Sequence, residues 1–439
     1  MSRDQITELR LTAFKSFANV VVPLRPLTLL IGRNGSGKSN ALDALEVLSR
    51  LAKAEEVRDA LGGNRRDAGP VRGGVEGCAP HGNDSFQIGV TVQTEAGSAR
   101  LDLRIQVRPQ VQIVWERLIA PFKGRTHVLL ETQEPNPQRS DISAKVWTAG
   151  RGRNPHLTFR SSHLLTAQLP LRLSGKTEAE RAILDVADEV LAVLSGVFHL
   201  DPVPHLMRQY VPEQDIVLRR TAENLSAAIA RLKSEDRRRF ADLLNIVKDL
   251  PEYKVRAIDI GKGGFGEVML AIREGNGRGS VTVPARQMSD GMLRMLAIAT
   301  ALLTGGGGLA IEAAAARVTS APTLVIEELE NGLHPSQAAR VLSFVKDACQ
   351  ERDLQVVLTT HSPALLDALS GDDHEGVLVI DRTLRTGSSR VRRLVDLPGY
   401  LRLMATDGLG AAATSGTLAT AGYAQKMDPE GVRELLGIA

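Results

Sequence analysis

Gly32-Arg33-Asn34-Gly35-Ser36-Gly37-Lys38-Ser39 places four residues between two glycines and follows the second with Lys and Ser. Glycine lets a backbone turn tightly and aim its N–H groups inward at an anion. A helix beginning near Lys38 adds its N-terminal dipole and free N–H groups on the same side. Lys38 would reach the β- and γ-phosphates of a nucleotide, and Ser39 would place its hydroxyl on Mg²⁺. The candidate nucleotide contacts are therefore Gly32, Arg33, Asn34, Gly35, Ser36, Gly37, Lys38, Ser39 and Asn40.

Two later stretches supply chemistry that this loop lacks. Apolar Leu324-Val325-Ile326 runs into Glu327-Glu328, which puts two carboxylates at the end of a short buried strand. Glu327 would hold Mg²⁺ through its water shell, and Glu328 would orient the attacking water or accept its proton. Val356 to Thr359 is another apolar strand, and His361 follows it in Thr360-His361-Ser362-Pro363. That imidazole could reach the γ-phosphate and couple nucleotide state to a dimer contact. Glu328 and His361 are the candidate catalytic residues. Ser289-Asp290-Gly291 opens a helix with Leu293, Leu296, Ala297 and Ala301 on one face, and its N-terminus offers a second anion site. Nothing in it is needed to complete the first site, so its expected ligand is a γ-phosphate bound by another subunit.

The elements that must position these residues are legible in outline. Leu27 to Ile31 reads as the strand before the loop, and Leu42, Leu45, Leu48 and Leu51 as the stripe of the helix after it. Ile6 to Leu11 and Asn19 to Val22 read as strands leading in. Residues 53–84 read as a Gly-, Arg- and Asp-rich connection. Phe86 to Val92, Leu101 to Val107 and Val111 to Trp115 form an antiparallel meander turning at Glu95-Ala96-Gly97, and residues 131–157, with Glu134-Pro135-Asn136-Pro137, read as loop. Thr177 with Glu180 starts a helix as a capping box, and further helices span 224–232 and 235–250, ending at Pro251. Strands return at Val255 to Ile260, Val268 to Ile272 and Val281 to Val283, with Gly275-Asn276-Gly277 as a hairpin turn. Between the first two, Gly261 to Val268 fits the glycine-rich loop of protein kinases residue for residue. No strand lysine, catalytic-loop aspartate or Asp-Phe-Gly follows, so it reads as a turn between strands.

The 439 residues allow two or three domains or one elaborate one, and the net charge of +3, from 54 basic and 51 acidic residues, demands no nucleic acid globally. Arg151, Arg153, Arg160, Arg172, Lys176, Arg219, Arg220 and Arg237 to Arg239 either line a phosphate backbone or form a solvated face among interleaved acids. Aromatics at 3% argue against a broad base-stacking platform. Cys78 and Cys349, far apart and without metal-ligand spacing, fit a reducing compartment. The most apolar run, Met292 to Leu303, is too short to span a bilayer and carries Arg294, and the start lacks an apolar signal core; a soluble, cytoplasmic chain is expected, with no membrane.

Gly32 to Ser39, Ser289-Asp290-Gly291, Leu324 to Glu328, Glu330-Asn331-Gly332-Leu333-His334-Pro335 and Thr359 to Pro363 together resemble the ordered motif set of ABC-type ATPases. The Ser-Asp-Gly signature and the Glu-Glu-x-Glu-Asn-Gly-Leu-His-Pro run resemble the RecF/SMC-like ATPases of bacterial genome maintenance and antiphage defence. Leu164 to Leu169, Asn224 to Leu232 and Leu394 to Leu397 extend the likeness over nearly the whole chain, and Met288 and Asp290 depart from the usual Leu-Ser-Gly-Gly. The resemblance implies an α/β, bipartite ATPase head: a mixed sheet with the phosphate loop, an antiparallel β subdomain, an inserted helical subdomain, and no long coiled coil. Boundaries are then expected at 1–60 and 251–397 for the two parts of the core, 61–174 for the β lobe, 175–250 for the helical insert and 398–439 for a small tail. It implies ATP and Mg²⁺, with Gln168 as the Mg²⁺-contacting glutamine beside Ser39 and Glu327. It also implies a homodimer or higher oligomer joined through ATP, acting on DNA or on a separate, nuclease-like effector. The ATPase component of an overcoming-lysogenization-defect nuclease system and a transporter's ATP-binding subunit are alternatives. Against the transporter stands the 251-residue separation of Lys38 from Ser289 (289 − 38). Against an in-chain nuclease, Val377 to Asp381 ends in an acid but no Asp-x-Asp follows.

Overall fold

The computed structural model describes residues 4–63, 69–94, 97–133, 140–150, 154–248, 254–275, 279–311, 321–331, 334–383, 385–406, 408–415 and 417–420. The expected turns at 95–96 and 276–277, the stretch 134–137, Arg151, Arg153, Pro251, Gly332, Leu333 and half of the expected tail lie outside the described residues.

The chain begins with β1 (Gln5–Phe14), β2 (Phe17–Pro23) and β3 (Leu27–Ile31), then α1 (Lys38–Ala52) and α2 (Val57–Gly62). A run of strands follows: β4 (Ser85–Thr94), β5 (Gly97–Gln106), β6 (Gln112–Phe122), β7 (Arg125–Thr132), β8 (Asp141–Val146) and β9 (His156–Arg160). Next come α3 (Leu165–Gln168), α4 (Glu178–Ser195), β10 (Val197–Leu200), α5 (Pro204–Met207), β11 (Val211–Pro212), α6 (Leu225–Glu235) and α7 (Arg237–Val247). The last third holds β12 (Val255–Lys262), β13 (Glu267–Glu274), β14 (Val281–Pro284), α8 (Asp290–Thr304), β15 (Thr323–Ile326), α9 (Ala338–Glu351), β16 (Gln355–Thr359), α10 (Pro363–Asp367), β17 (Val377–Arg382) and β18 (Ser389–Arg393), before three short helices from Tyr400 onward.

One 14-stranded sheet runs β10-β15-β16-β3-β17-β18-β2-β1-β4-β5-β6-β7-β8-β9. Its first five strands are mutually parallel, with β3 fourth. Such strands are covered on both faces, so they read as continuous apolar runs. Alternate residues point to opposite layers: Leu30, Val325, Val357 and Leu378 join the core containing α1 and α4, whereas Leu29, Ile31, Leu324, Ile326, Val356 and Leu358 join the core containing α6, α7, α8 and α9. The expected β lobe is the other half of this same sheet, because β1 pairs antiparallel with both β2 and β4. A smaller sheet, β11-β13-β12 with β14 on β13, covers α6 and precedes α8. The kinase-like glycine loop is the turn joining β12 to β13.

Several expectations change. Residues 131–157 are not simply loop: β8 pairs with β7 and β9, extending the meander. Residues 175–250 do not pack as one helical body. Thr177 caps α4 as expected, its Oγ1 accepting from Glu180 N at 3.1 Å, but α4 packs on α1, while α6 and α7 pack on α8. Between them β10 enters the main sheet. Among the described residues the longest helix, α4, has 18 residues, about 27 Å at the helical rise, so no long coiled-coil arm leaves the head.

Glu116, on β6, is fully buried and anchors the start of α3, accepting from Leu165 N at 2.7 Å, Thr166 N at 2.6 Å and Thr166 Oγ1 at 2.6 Å. Glu116→Ala orphans all three donors and is expected to cost about 3 kcal/mol or more in urea unfolding. Burial pushes the Glu116 carboxyl up to about 7 from 4.5, against those donors. The folded chain therefore keeps a proton that the unfolded chain has released between those values, and stability falls as pH rises through that window. His199, lowered by burial to about 4, acts with the opposite sign. The Glu116 share is accordingly read as the difference in pH slope between the wild type and Glu116→Gln.

Candidate nucleotide-binding site

In a sheet of parallel strands, ligands bind beyond the carboxyl ends. Here β3 ends at Ile31 before the phosphate loop, β16 beside it ends before Thr360 and His361, and β15 beyond that ends before Glu327 and Glu328. Adjacent strands lie about 4.8 Å apart, so topology alone gathers three segments separated by some three hundred residues of chain.

The loop has the geometry its glycines permit. Gly32, Gly35 and Gly37 have φ of 147°, 74° and 116°. A Cβ on Gly32 would lie 2.0 Å from the Ile380 carbonyl oxygen, and one on Gly37 would lie 2.4 Å from Ser389 Oγ. Ser389, the first residue of β18, donates to the Ser36 carbonyl and bonds Ser16 Oγ at 2.7 Å; Asn40 Nδ2 donates to the same Ser16 Oγ at 2.8 Å. Asn40 thus braces the loop from behind. Arg33, Asn34 and Gly35 are exposed at its mouth, and the buried Ser36 Oγ has no hydrogen-bond partner. That orphaned hydroxyl, with the curled backbone, fits a loop shaped for a phosphate.

Lys38 folds over the loop, Nζ donating to the carbonyls of Gly32 at 2.7 Å and Arg33 at 3.1 Å. Burial lowers its ammonium to about 8, against the pull of Glu328, Glu330 and Glu327. Ser39 Oγ donates to Glu327 Oε2 at 3.1 Å, joining the two residues expected to share a metal. Among the described residues no group of three or more His, Cys, Asp or Glu could hold a metal ion. One hydroxyl and one carboxylate, completed by phosphate oxygens and water, suit Mg²⁺, which is rarely caged by protein alone.

Glu328 has φ of 49°, a left-handed conformation uncommon for a residue with a side chain. Thr359 holds it there: its Oγ1 accepts from Glu328 N at 2.9 Å, and Asn331 Nδ2 donates to Glu328 Oε2 at 2.6 Å. Strain of this kind persists where the surroundings over-determine it. The His361 backbone N–H donates to Glu330 Oε1. Burial and then the Lys38 charge lower the imidazole's pKa, with Glu330 and Glu328 pulling the other way. His361 therefore lies within the electrostatic reach of Lys38, Glu330 and Glu328.

Two features were not visible in the sequence. Arg72, in the connection after α2, grips Glu327 with both terminal guanidinium nitrogens, Nη1 to Oε2 at 3.0 Å, while its Nε donates to Asp43 Oδ1 at 3.0 Å and Lys15 Nζ holds Asp43 Oδ2 at 2.6 Å. Burial raises the Glu327 carboxyl's pKa, but the Arg72 bond and charge and the Ser39 hydroxyl outweigh it and leave the group below its ordinary value. Arg72 thus occupies the carboxylate that a hydrated Mg²⁺ would need. Arg72→Ala is expected to lower by about tenfold the Mg²⁺ concentration that half-saturates its effect on ATP binding, as for loss of one charge-assisted contact; fluorescent-nucleotide titration over Mg²⁺ checks it.

The second feature corrects a position. Gln168 is not brought to the site. Its Nε2 donates to the carbonyls of Arg160 at 2.9 Å and His163 at 3.2 Å, and its Oε1 accepts from Arg160 N at 3.0 Å, closing the turn between β9 and α3. Both ends of the Gln168 amide are engaged there, and among the described residues no hydrogen bond joins it to Ser39 or Glu327. The strand beside β15 is instead β10, with Leu200 opposite Ile326. The short apolar run Val197 to Leu200, bounded by Gly196 and Pro202, is the signal that could have found it.

The signature triplet opens α8, Ser289 Oγ capping it by accepting from Met292 N at 3.2 Å. Among the described residues no hydrogen bond or ion pair joins Ser289, Asp290 or Gly291 to the loop Gly32–Ser39. Asp381, the last acid of β17, is engaged by Arg390 and Arg392, the latter at 2.6 Å. Of the basic set, Arg219 pairs with Asp215 at 3.0 Å and Glu223 at 3.4 Å, Arg220 with Glu46, and Arg239 with Asp236 at 3.3 Å. The Arg219 and Arg239 pairs favour a solvated face, whereas Arg220 reaches a buried carboxylate. No helix among the described residues is long and apolar enough to cross a membrane.

A phosphate loop, an acid pair and a histidine at the ends of neighbouring parallel strands, with a serine-capped signature helix on the second core, define a nucleotide-binding head of the ABC type. The chain belongs to the family described as "AAA domain, putative AbiEii toxin, Type IV TA system", which matches residues 27–367. It is similar to the DNA replication and repair protein RecF of Streptomyces avermitilis, 30% identical over a 207-residue alignment that covers 43% of this chain and 51% of the relative. The same-named protein of a Nocardioides species is 43% identical over 56 residues, 12% of this chain and 13% of that one. The chain thus spans about half the length of the first relative and less of the second. Among solved structures, an SMC head bound to the C-winged helix domain of ScpA aligns with 88% of this chain and 97% of its own, at TM-score 0.44 and 16% identity. The SMC head domain from Thermotoga maritima aligns with 89% and 98%, at TM-score 0.41 and 13% identity.

Proposed function

We propose that the chain is a Mg²⁺-dependent ATP hydrolase whose heads dimerise around two ATP molecules, and that this joining acts on DNA or controls a separate effector protein in bacterial defence or DNA repair. The observation that carries the reading is the 3.1 Å contact of Ser39 with Glu327, which closes the phosphate loop onto the acid pair. The loop N–H groups and Lys38 bind the phosphates; Ser39 and Glu327 would hold Mg²⁺, which when bound neutralises charge on the β- and γ-phosphates. Glu328, fixed by Thr359 and Asn331, orients the attacking water and takes its proton, while His361 lies on the γ-phosphate side. Ser289 and Gly291 grip the γ-phosphate held by the other copy, so ADP lacks the group that joins the heads.

The action on DNA is supported by the name the RecF relatives carry, DNA replication and repair protein. Cutting of nucleic acid, as in an overcoming-lysogenization-defect system, belongs in this reading to a partner chain, because Asp381 is engaged by two arginines. Phosphate release by the purified chain tests it. Hydrolysis is expected with Mg²⁺ and ATP, without cleavage of added DNA or RNA. No hydrolysis with or without DNA contradicts the hydrolase; cleavage that survives in Lys38→Ala contradicts the separate effector.

A further inference from the structure

Within the signature, Asp290 stands between Ser289 and Gly291, and a bare carboxylate there repels the anion that the triplet is to grip. One side chain answers this charge. Arg208 Nη2 donates to Asp290 Oδ1 at 2.6 Å and to the Met288 carbonyl oxygen at 2.8 Å, so a single nitrogen pins both flanks of Ser289. Arg208 is the more sheltered partner, its side chain 26% exposed against 68% for Asp290.

Its anchorage explains why an otherwise surface pair can hold its geometry. Arg208 follows Met207, which is 1% exposed in the core that contains α8. The strap reaching it starts at Leu200, opposite Ile326 and therefore beside the strand that delivers Glu327 and Glu328. Asp201 N donates to Arg220 O at 2.9 Å and Val203 N to Thr221 O at 3.0 Å. Arg220 in turn ion-pairs with Glu46 on α1, the helix that follows the phosphate loop. Residues 200–208 thus run from the chain's own nucleotide site to the surface it would present to another.

We infer that Arg208 is a positioning residue of the signature: it cancels the charge of Asp290 and fixes the first turn of α8, so that Ser289 and Gly291 can face a phosphate carried by a second copy of the chain. This rests on the ATP-linked dimer proposed above. The dimer dissociation constant is measured by light scattering over a protein dilution series with Mg²⁺ and ATP in a Glu328→Gln parent, and ATP affinity separately with a fluorescent analogue. Arg208→Ala is expected to weaken the dimer at least tenfold while leaving ATP affinity within about twofold of the parent. Adding Asp290→Asn is expected to restore most of the loss, because the carboxylate needing neutralisation is then gone. Were Arg208→Ala to lose ATP binding through misfolding, Arg208→Gln takes its place with the same expectations. An undiminished dimer in the variant, or no recovery on adding Asp290→Asn, overturns the inference and leaves the dimer standing. A parent that fails to dimerise with ATP overturns the dimer itself.

Discussion

Lys38→Ala is expected to bring ATP binding below detection in a titration that registers the wild type. In the folded chain its Nζ bridges the carbonyls of Gly32 and Arg33, so it sits where the loop closes. Alanine removes the cation that faces the phosphates, a charge-assisted contact, and also the bridge that shapes the loop. The three carboxylates of Glu327, Glu328 and Glu330, which Lys38 offsets, would then face the nucleotide with less opposing charge. Unchanged affinity would remove Gly32–Ser39 from the account.

Glu328→Gln is expected to give the opposite pattern, with ATP binding kept and turnover lowered by about two to four orders of magnitude, the range for loss of a general base. The backbone N–H to Thr359 Oγ1 is untouched, and the new amide oxygen can still accept from Asn331. Geometry is therefore preserved while the proton acceptor is lost. Single-turnover hydrolysis checks it, and near-normal turnover would move the role to another residue, His361 first.

What the sequence made legible follows from how far each signal travels. The phosphate loop, the acid pair and the signature are contiguous, each needing only a strand or a helix beside it, and all three stand where their flanking runs put them. Four of the five parallel strands, β3, β15, β16 and β17, were readable because strands buried on both faces are apolar throughout. Arg72 was not readable: it lies 34 residues after Lys38 (72 − 38) in a glycine-rich connection without periodicity, and only the fold carries it to Glu327. The four residues of β10 were hidden between helical stretches, whereas the metal-contact expectation for Gln168 came from the family resemblance alone. The continuity of the β lobe with the core depends on β1 pairing with both β2 and β4, a long-range choice that alternation within a strand does not encode.

ATP as the link between two heads is tested most directly by the mass of Glu328→Gln in solution, measured by light scattering with Mg²⁺ and ATP, with ADP, and without nucleotide. Slow turnover should let the ATP-bound form accumulate. Twice the chain mass of 47.3 kDa is expected with ATP only, and the chain mass with ADP or no nucleotide. Adding Ser289→Arg should return the ATP sample to the chain mass with ATP still bound, since a bulky cation at the helix start blocks its approach to the phosphate. The same mass in all three conditions for both variants would contradict the account.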